Sequence, residues 1–164
     1  TLTKQKLSLD FIKQAVDYWK KCFFTDEFVR YDKIYHGAAE CVHFLYKTGA
    51  HVAYLSGRDI PNMSRGTLDM LERERLPHTG SKVSIHLKPS FYHNDLEFKR
   101  HAVEFIRSSG EVIATFDNEP GNVQLFLESF PEAYHYHVAN LYANHLNLSG
   151  HQLYVIKGFK DLGF

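Results

Sequence analysis

The sequence predicts an α/β fold in which a parallel sheet carries helices on both faces. Strand-like and helix-like segments alternate along the chain, as a parallel sheet with crossover helices requires. The strand-like segments are short apolar runs, the pattern of strands buried on both faces. Two of them run directly into polar loops, Ser56-Gly57-Arg58-Asp59 and Asp117-Asn118-Glu119-Pro120-Gly121. Sheets of this kind gather their chemistry at the C-terminal strand ends.

The elements follow in order. Ser8, then Asp10 and an apolar-periodic run (Phe11, Ile12, Ala15, Val16, Trp19), predicts a capped amphipathic helix over about 9–23 whose aromatic stripe faces a core. Thr25-Asp26-Glu27 starts a second, short helix. Residues 37–47 read as a helix, with Gly49 as its left-handed stop. His51 to Leu55 is a short buried strand followed by the 56–59 loop. Helix is expected over 62–75, strand over 82–87, and helix over 95–108 with a cap at Asn94 or Asp95 and a stop at Gly110. Residues 111–116 form the next strand, and Pro120 suits the first turn of a helix over about 121–129. Tyr134 to Val138 is a core strand and Leu153 to Ile156 an edge strand. Lys157 to Phe164 carries no clear signal.

Composition narrows the function classes. A chain of 164 residues fits one domain with a sizeable core. Lys plus Arg and Asp plus Glu both number 19, so the net charge of zero points to neither a nucleic-acid nor a membrane partner. No apolar run approaches the roughly 20 residues of a membrane helix, and Thr1 to Lys6 lack a signal-peptide core. Cys22 and Cys41 read as thiols rather than a disulfide, which suits a reducing, cytoplasmic setting.

Three clusters carry chemistry. Asp117-Asn118-Glu119, directly after an apolar strand, must be solvated or paired, because a lone buried carboxylate is costly. Mg²⁺ satisfies such a cluster through carboxylate and amide oxygens. A helix cap, with Asp117 accepting backbone N–H bonds, is the competing use. At the earlier strand end, the Ser56 hydroxyl and the backbone of Gly57 and Arg58 suit a phosphoryl oxygen, or form a simple polar turn. Lys99, early in its helix, is placed to neutralise phosphoryl charge, or is a solvated surface lysine. Lys88 closes the preceding strand and competes with it.

In combination, a strand ending Tyr-Leu-Ser-Gly-Arg-Asp, a helix-borne lysine and a strand ending Phe-Asp-Asn-Glu-Pro resemble, in order, motifs II, III and IV of the haloacid dehalogenase-like (HAD) superfamily. The resemblance covers about residues 35–139. It implies a HAD-like Rossmannoid core over 35–164, with 1–34 the remnant of a small helical cap or insertion. It implies a Mg²⁺-dependent phosphatase acting on a small phosphorylated substrate through an aspartyl-phosphate intermediate. Ser56 would then hydrogen-bond the phosphoryl group, with Gly57 and Arg58 beside the substrate. Lys99 or Lys88 would stabilise nucleophile and phosphoryl charge. Asp117 would bind Mg²⁺, with Asn118 where a second aspartate is commoner and Glu119 a weaker candidate.

The first motif of that superfamily, Asp-x-Asp-x-Thr, occurs nowhere in the sequence. Its strand would lie between those ending at Ser56 and Asp117, and without it both would expose apolar edges. The expectation is therefore a core missing its central strand, with the nucleophile on a longer chain, and a fragment inactive alone. A non-catalytic HAD-like binding module is the alternative. Eleven histidines invite a zinc reading, with His135, His137, His145 and His151 the nearest group, but no spacing matches a zinc pattern, and ordinary half-buried or surface histidines are expected. His93 precedes the Lys99 helix and is placed near the site.

Overall fold

The computed structural model describes residues 8–139 and 150–163. His145 and Thr1 to Lys6 lie outside them. The described chain is mixed α/β, and every strand pairing is parallel. Helix α1 (Leu9–Phe23) is capped by Ser8, whose Oγ accepts from the Phe11 N–H at 3.2 Å. The aromatic stripe of α1 is not core, contrary to expectation: no residue of the helix is buried, and Phe11 and Trp19 remain about half exposed. Among the described residues the helix packs mainly on Phe24 and the short α2 (Asp26–Val29), which leaves much of its apolar face open. Periodicity reports that a face is apolar and not what covers it.

Helix α3 (Ala38–Lys47) starts at Gly37, whose φ of +84° and close approach to Lys160 exclude a side chain; an added Cβ would stand 2.9 Å from the Lys160 nitrogen. Strand β1 (Val52–Asp59) does not stop at Leu55 but runs through Ser56, Gly57 and Arg58. It pairs with β2 (Val83–Lys88) from Val52↔Val83 to Ser56↔Leu87 and then jumps to Asp59↔Lys88, so Gly57 and Arg58 form a bulge. The extended backbone that the loop reading missed is thus kept, but the bulge re-aims its side chains. Helix α4 (Ile60–Arg73) follows at once, capped by the buried Asp59, which accepts from the Asn62 N–H at 3.1 Å. Helix α5 (Asp95–Ser109) is capped by Asn94 and ends at Gly110. A second sheet has the order β3 (Ala114–Asp117), β4 (Tyr134–Val138), β5 (Leu153–Ile156), with α6 (Pro120–Ser129) between β3 and β4 in sequence. A 3-10 turn, Phe159–Leu162, closes the described chain.

Three apolar clusters hold these parts. Val29 of α2 packs with Met63, Met70 and Leu71 of α4. Ala38 and Cys41 of α3 pack with Val138, Ile156 and Phe159. Val103 of α5 packs with Leu125 and Phe126 of α6. Burial pushes the Cys41 thiol up to about 11, so it stays protonated and inert. Burial also overturns the expectation of half-buried or surface histidines at β4: His135 is fully enclosed, with Thr115 Oγ1 2.8 Å from Nδ1 and the Phe130 carbonyl 3.0 Å from Nε2. Two fixed partners make the neutral ring affordable inside.

Among the described residues β1 and β3 are not paired with one another. A cleft of about 430 Å³ separates them, lined by Leu55, Ser56 and Arg58 on one side, Thr115, Phe116 and Asp117 on the other, and Leu45, Phe126 and Phe159 around it. No helix of the described residues is long and apolar enough to cross a membrane.

Candidate functional site

The cleft runs along β1 and β3, and its charged residues, Arg58 and Asp117, lie with Ser56 where the two strands finish. Asp117 terminates β3 because α6 begins three residues later at Pro120, whose missing N–H costs nothing in a first helical turn. The Asp117 Oδ1 accepts from the Glu119 N–H at 2.8 Å. Both carboxylate oxygens lie 3.1 Å from the Nδ2 of Asn122, a buried side chain in the first turn of α6.

The third partner of Asp117 is Lys99. Asn94 fixes the start of α5 by accepting the Glu97 N–H at 3.1 Å, and Lys99 stands about one turn further on. Its Nζ lies 3.5 Å from Asp117 Oδ2, with the two side chains 10% and 13% exposed. Such a pair is held out of water on both sides, where a charge weighs far more than on a surface.

Lys88 is buried as well, but it serves a different loop. Its Nζ donates to Asp95 Oδ1 at 2.5 Å, to the His93 carbonyl at 3.2 Å and to the Phe91 carbonyl at 3.4 Å. Asp95 in turn lies against Gly57: a Cβ there would stand 2.5 Å from Asp95 Oδ2. A side chain at position 57 would displace the Asp95 carboxylate, and Lys88 ties the β2–α5 connection to the β1 bulge through it. His93 contributes its carbonyl to that tie, and its ring Nδ1 lies 2.9 Å from Ser90 Oγ.

Ser56 faces the cleft and its Oγ accepts from the Arg58 N–H at 3.2 Å, which leaves the hydroxyl proton to be donated. Arg58 lines the same cleft but its guanidinium is turned to Asp32 Oδ2 at 2.6 Å and Thr67 Oγ1 at 3.2 Å. Burial pulls its pKa below the ordinary value, and Asp32 partly offsets that. Asn118 and Glu119 follow Asp117 on the turn into α6; the Asn118 carbonyl lies 3.2 Å from His137 Nε2, and Glu119 is exposed. His137 is thereby engaged by the backbone, and His151 is exposed. Among the described residues no three His, Cys, Asp or Glu side chains converge as a metal-binding group.

The cleft thus brings together Ser56, Arg58 and Asp117, with Lys99 on Asp117, while Lys88 and Gly57 form a neighbouring lock. Sequence reasoning missed Asn122, Asp32 and Asp95. Asn122 had a signal: an amide two residues after Pro120, in the first turn of the helix, can reach back to the strand-ending carboxylate. Asp32 had none, because it lies on a loop far from Arg58 in sequence. Compared with known proteins, the chain matches no family model, no curated protein and no solved structure.

Proposed function

We propose that this chain forms most of a Mg²⁺-dependent phosphohydrolase of the HAD type, acting on a small phosphorylated substrate through an aspartyl-phosphate intermediate. The observation that carries the reading is the Lys99–Asp117 pair at the β3 end, facing the Ser56 hydroxyl across a cleft bounded by two parallel strand ends. On this reading a further strand between β1 and β3, about 4.8 Å from each neighbour as in any sheet, would unite the two half-sheets. The reading places the nucleophilic carboxylate at the end of such a strand, between Ser56 and Asp117.

Within that arrangement each residue has a task. The Ser56 hydroxyl donates to a phosphoryl oxygen. The Lys99 ammonium offsets the negative charge shared by Asp117, the nucleophile and the phosphoryl group. Asn122 and the Glu119 N–H hold Asp117 in one orientation. Arg58, held by Asp32, sets the edge of the bulge. Asp117 and the Asn118 amide oxygen are the groups that would hold Mg²⁺, which supplies positive charge to a phosphoryl group when bound. They fit it as hard oxygen donors and amount to a partial set, as is usual for an ion that keeps water and phosphate ligands.

One observation favours the non-catalytic alternative. Asp117 is already satisfied by Asn122, Glu119 and Lys99 without a cation. The test uses the whole polypeptide that carries this chain and a generic aryl phosphate with Mg²⁺. Asp117→Asn should abolish turnover while leaving the melting transition cooperative. Lys99→Ala should cost far more activity than Lys88→Ala. A protein inert before mutation rejects the enzyme reading.

A further inference from the structure

We infer that the aromatic wall built by α1, α2 and the β2–α5 connection is the leaving-group subsite of this site, and that it takes a flat, apolar group: the substrate class is a phosphate monoester of an aromatic alcohol. The inference rests on the phosphohydrolase reading above.

The wall is continuous. Trp19 stacks on Phe23 with centroids 4.7 Å apart, and Phe24 meets both edge-on at 5.5 and 5.1 Å. Phe24 meets Phe91 at 4.9 Å, and Phe91 meets Tyr92 at 5.6 Å. These rings come from two distant parts of the chain, yet most of them stay open: Trp19 is 47%, Phe91 38% and Tyr92 93% exposed. A contiguous apolar patch of this kind marks a binding surface more often than scattered exposed side chains do.

Its occupant follows from where it is anchored. The Phe91 carbonyl and Asp95 share the one Lys88 ammonium, and the Asp95 carboxylate rests on Gly57, next to Ser56. Phe91 is thus one lysine head group removed from the loop that would hold the phosphoryl oxygen. The pairing Asp59↔Lys88 puts both loops at the same end of the sheet. A group leaving from phosphorus at Ser56 has this wall as a neighbour. Ring faces and edges reward an offset-stacked or edge-on flat ring. Lys88 Nζ lies 6.0 Å from the Phe91 centroid, at the outer limit of a cation–π contact, and Phe91 keeps 38% of its surface open.

Trp19 is the only tryptophan of these 164 residues, so the part of the emission that a Trp19→Phe variant loses reports on the wall. The experiment titrates the whole protein, with Mg²⁺, with benzylphosphonate, methylphosphonate and inorganic phosphate, following Trp19 emission and heat of binding. The expected result is benzylphosphonate binding at least about tenfold tighter than methylphosphonate, equal to ~1.4 kcal/mol, with a change in Trp19 emission. Phe91→Ala should remove that advantage and leave phosphate affinity unchanged; Phe91→Leu, which keeps apolar volume, should retain part of it. Equal affinity for the two phosphonates assigns the wall to another occupant, such as a second copy of the chain, and overturns the subsite while leaving the phosphoryl site standing. A benzyl advantage indifferent to Phe91→Ala overturns its placement here. Failure of all three ligands to bind rejects the phosphohydrolase reading, and this inference with it.

Discussion

Replacing Lys99 by Met tests whether the pair at the β3 end is a desolvated interaction. Met keeps the unbranched stem and removes only the ammonium. At 3.5 Å, unit charges in an effective dielectric of about 20 attract by roughly 5 kcal/mol, before desolvation is set against it. Breaking a buried pair commonly costs about 3–5 kcal/mol because the remaining charge is stranded. Here Asp117 keeps the Glu119 N–H and Asn122 Nδ2, so the expected loss is lower, about 2–3 kcal/mol. For a chain of this size that lowers Tm by roughly 5–10 °C. Urea unfolding should show the midpoint falling at constant m-value. In an Asp117→Asn background, which leaves no stranded charge, Lys99→Met should cost under about 1 kcal/mol. A loss below about 0.5 kcal/mol in the parent, or equal losses in both backgrounds, would refute the claim that the two charges are coupled out of water.

Two further predictions follow from packing and protonation. Gly66 of α4 donates its N–H to Asp26 Oδ1 at 2.7 Å, and a Cβ there would stand 2.5 Å from the Asp26 carbonyl oxygen; Gly66→Ala should therefore push α2 off α4 and cost about 1–3 kcal/mol, and an unchanged urea midpoint would show that the contact is not kept in solution. Burial lowers the pKa of His135, with the bond to Phe130 only partly opposing, and burial with the neighbouring His51 lowers that of His86. Both rings are neutral in folded and unfolded chains above pH about 6.5; below it the unfolded chain takes protons the folded one refuses, so stability falls as pH drops, by up to about 1.4 kcal/mol per pH unit for each histidine. Comparing unfolding at pH 7.5 and 5.5 in the parent and in His135→Gln isolates one share, and identical slopes in the two proteins would count against a neutral buried His135.

How much of this was legible in sequence depended on range. Helix ends were readable because their signals are local: Ser8, Asn94 and Gly110 lie within a few residues of the groups they satisfy. The parallel pairing was inferred from short apolar runs with helices between them, whereas the split into two small sheets was not written in any local pattern. The extent of β1 was not legible, since a bulge lets polar Ser56 to Asp59 stay in extended register with β2. The fate of the α1 stripe was not legible either, because covering it is a matter of partners. The different surroundings of Lys99 and Lys88 were not legible either: both are buried lysines, and Asp117 stands beside one and Asp95 beside the other.

The seam between β1 and β3 also bears on how the molecule comes apart. Each half-sheet is held by pairing among its own strands, and the ties across the seam are helices: α5 touches β1 and β2 on one side and α6 on the other, and α3 touches β1 and packs on Val138, Ile156 and Phe159. Opening energies within a native protein follow such contact density. The β1–β2 and β3–β5 units are therefore expected to open as separate cooperative units joined through α5 and α3, and the slowest amides of each should exchange with its own free energy.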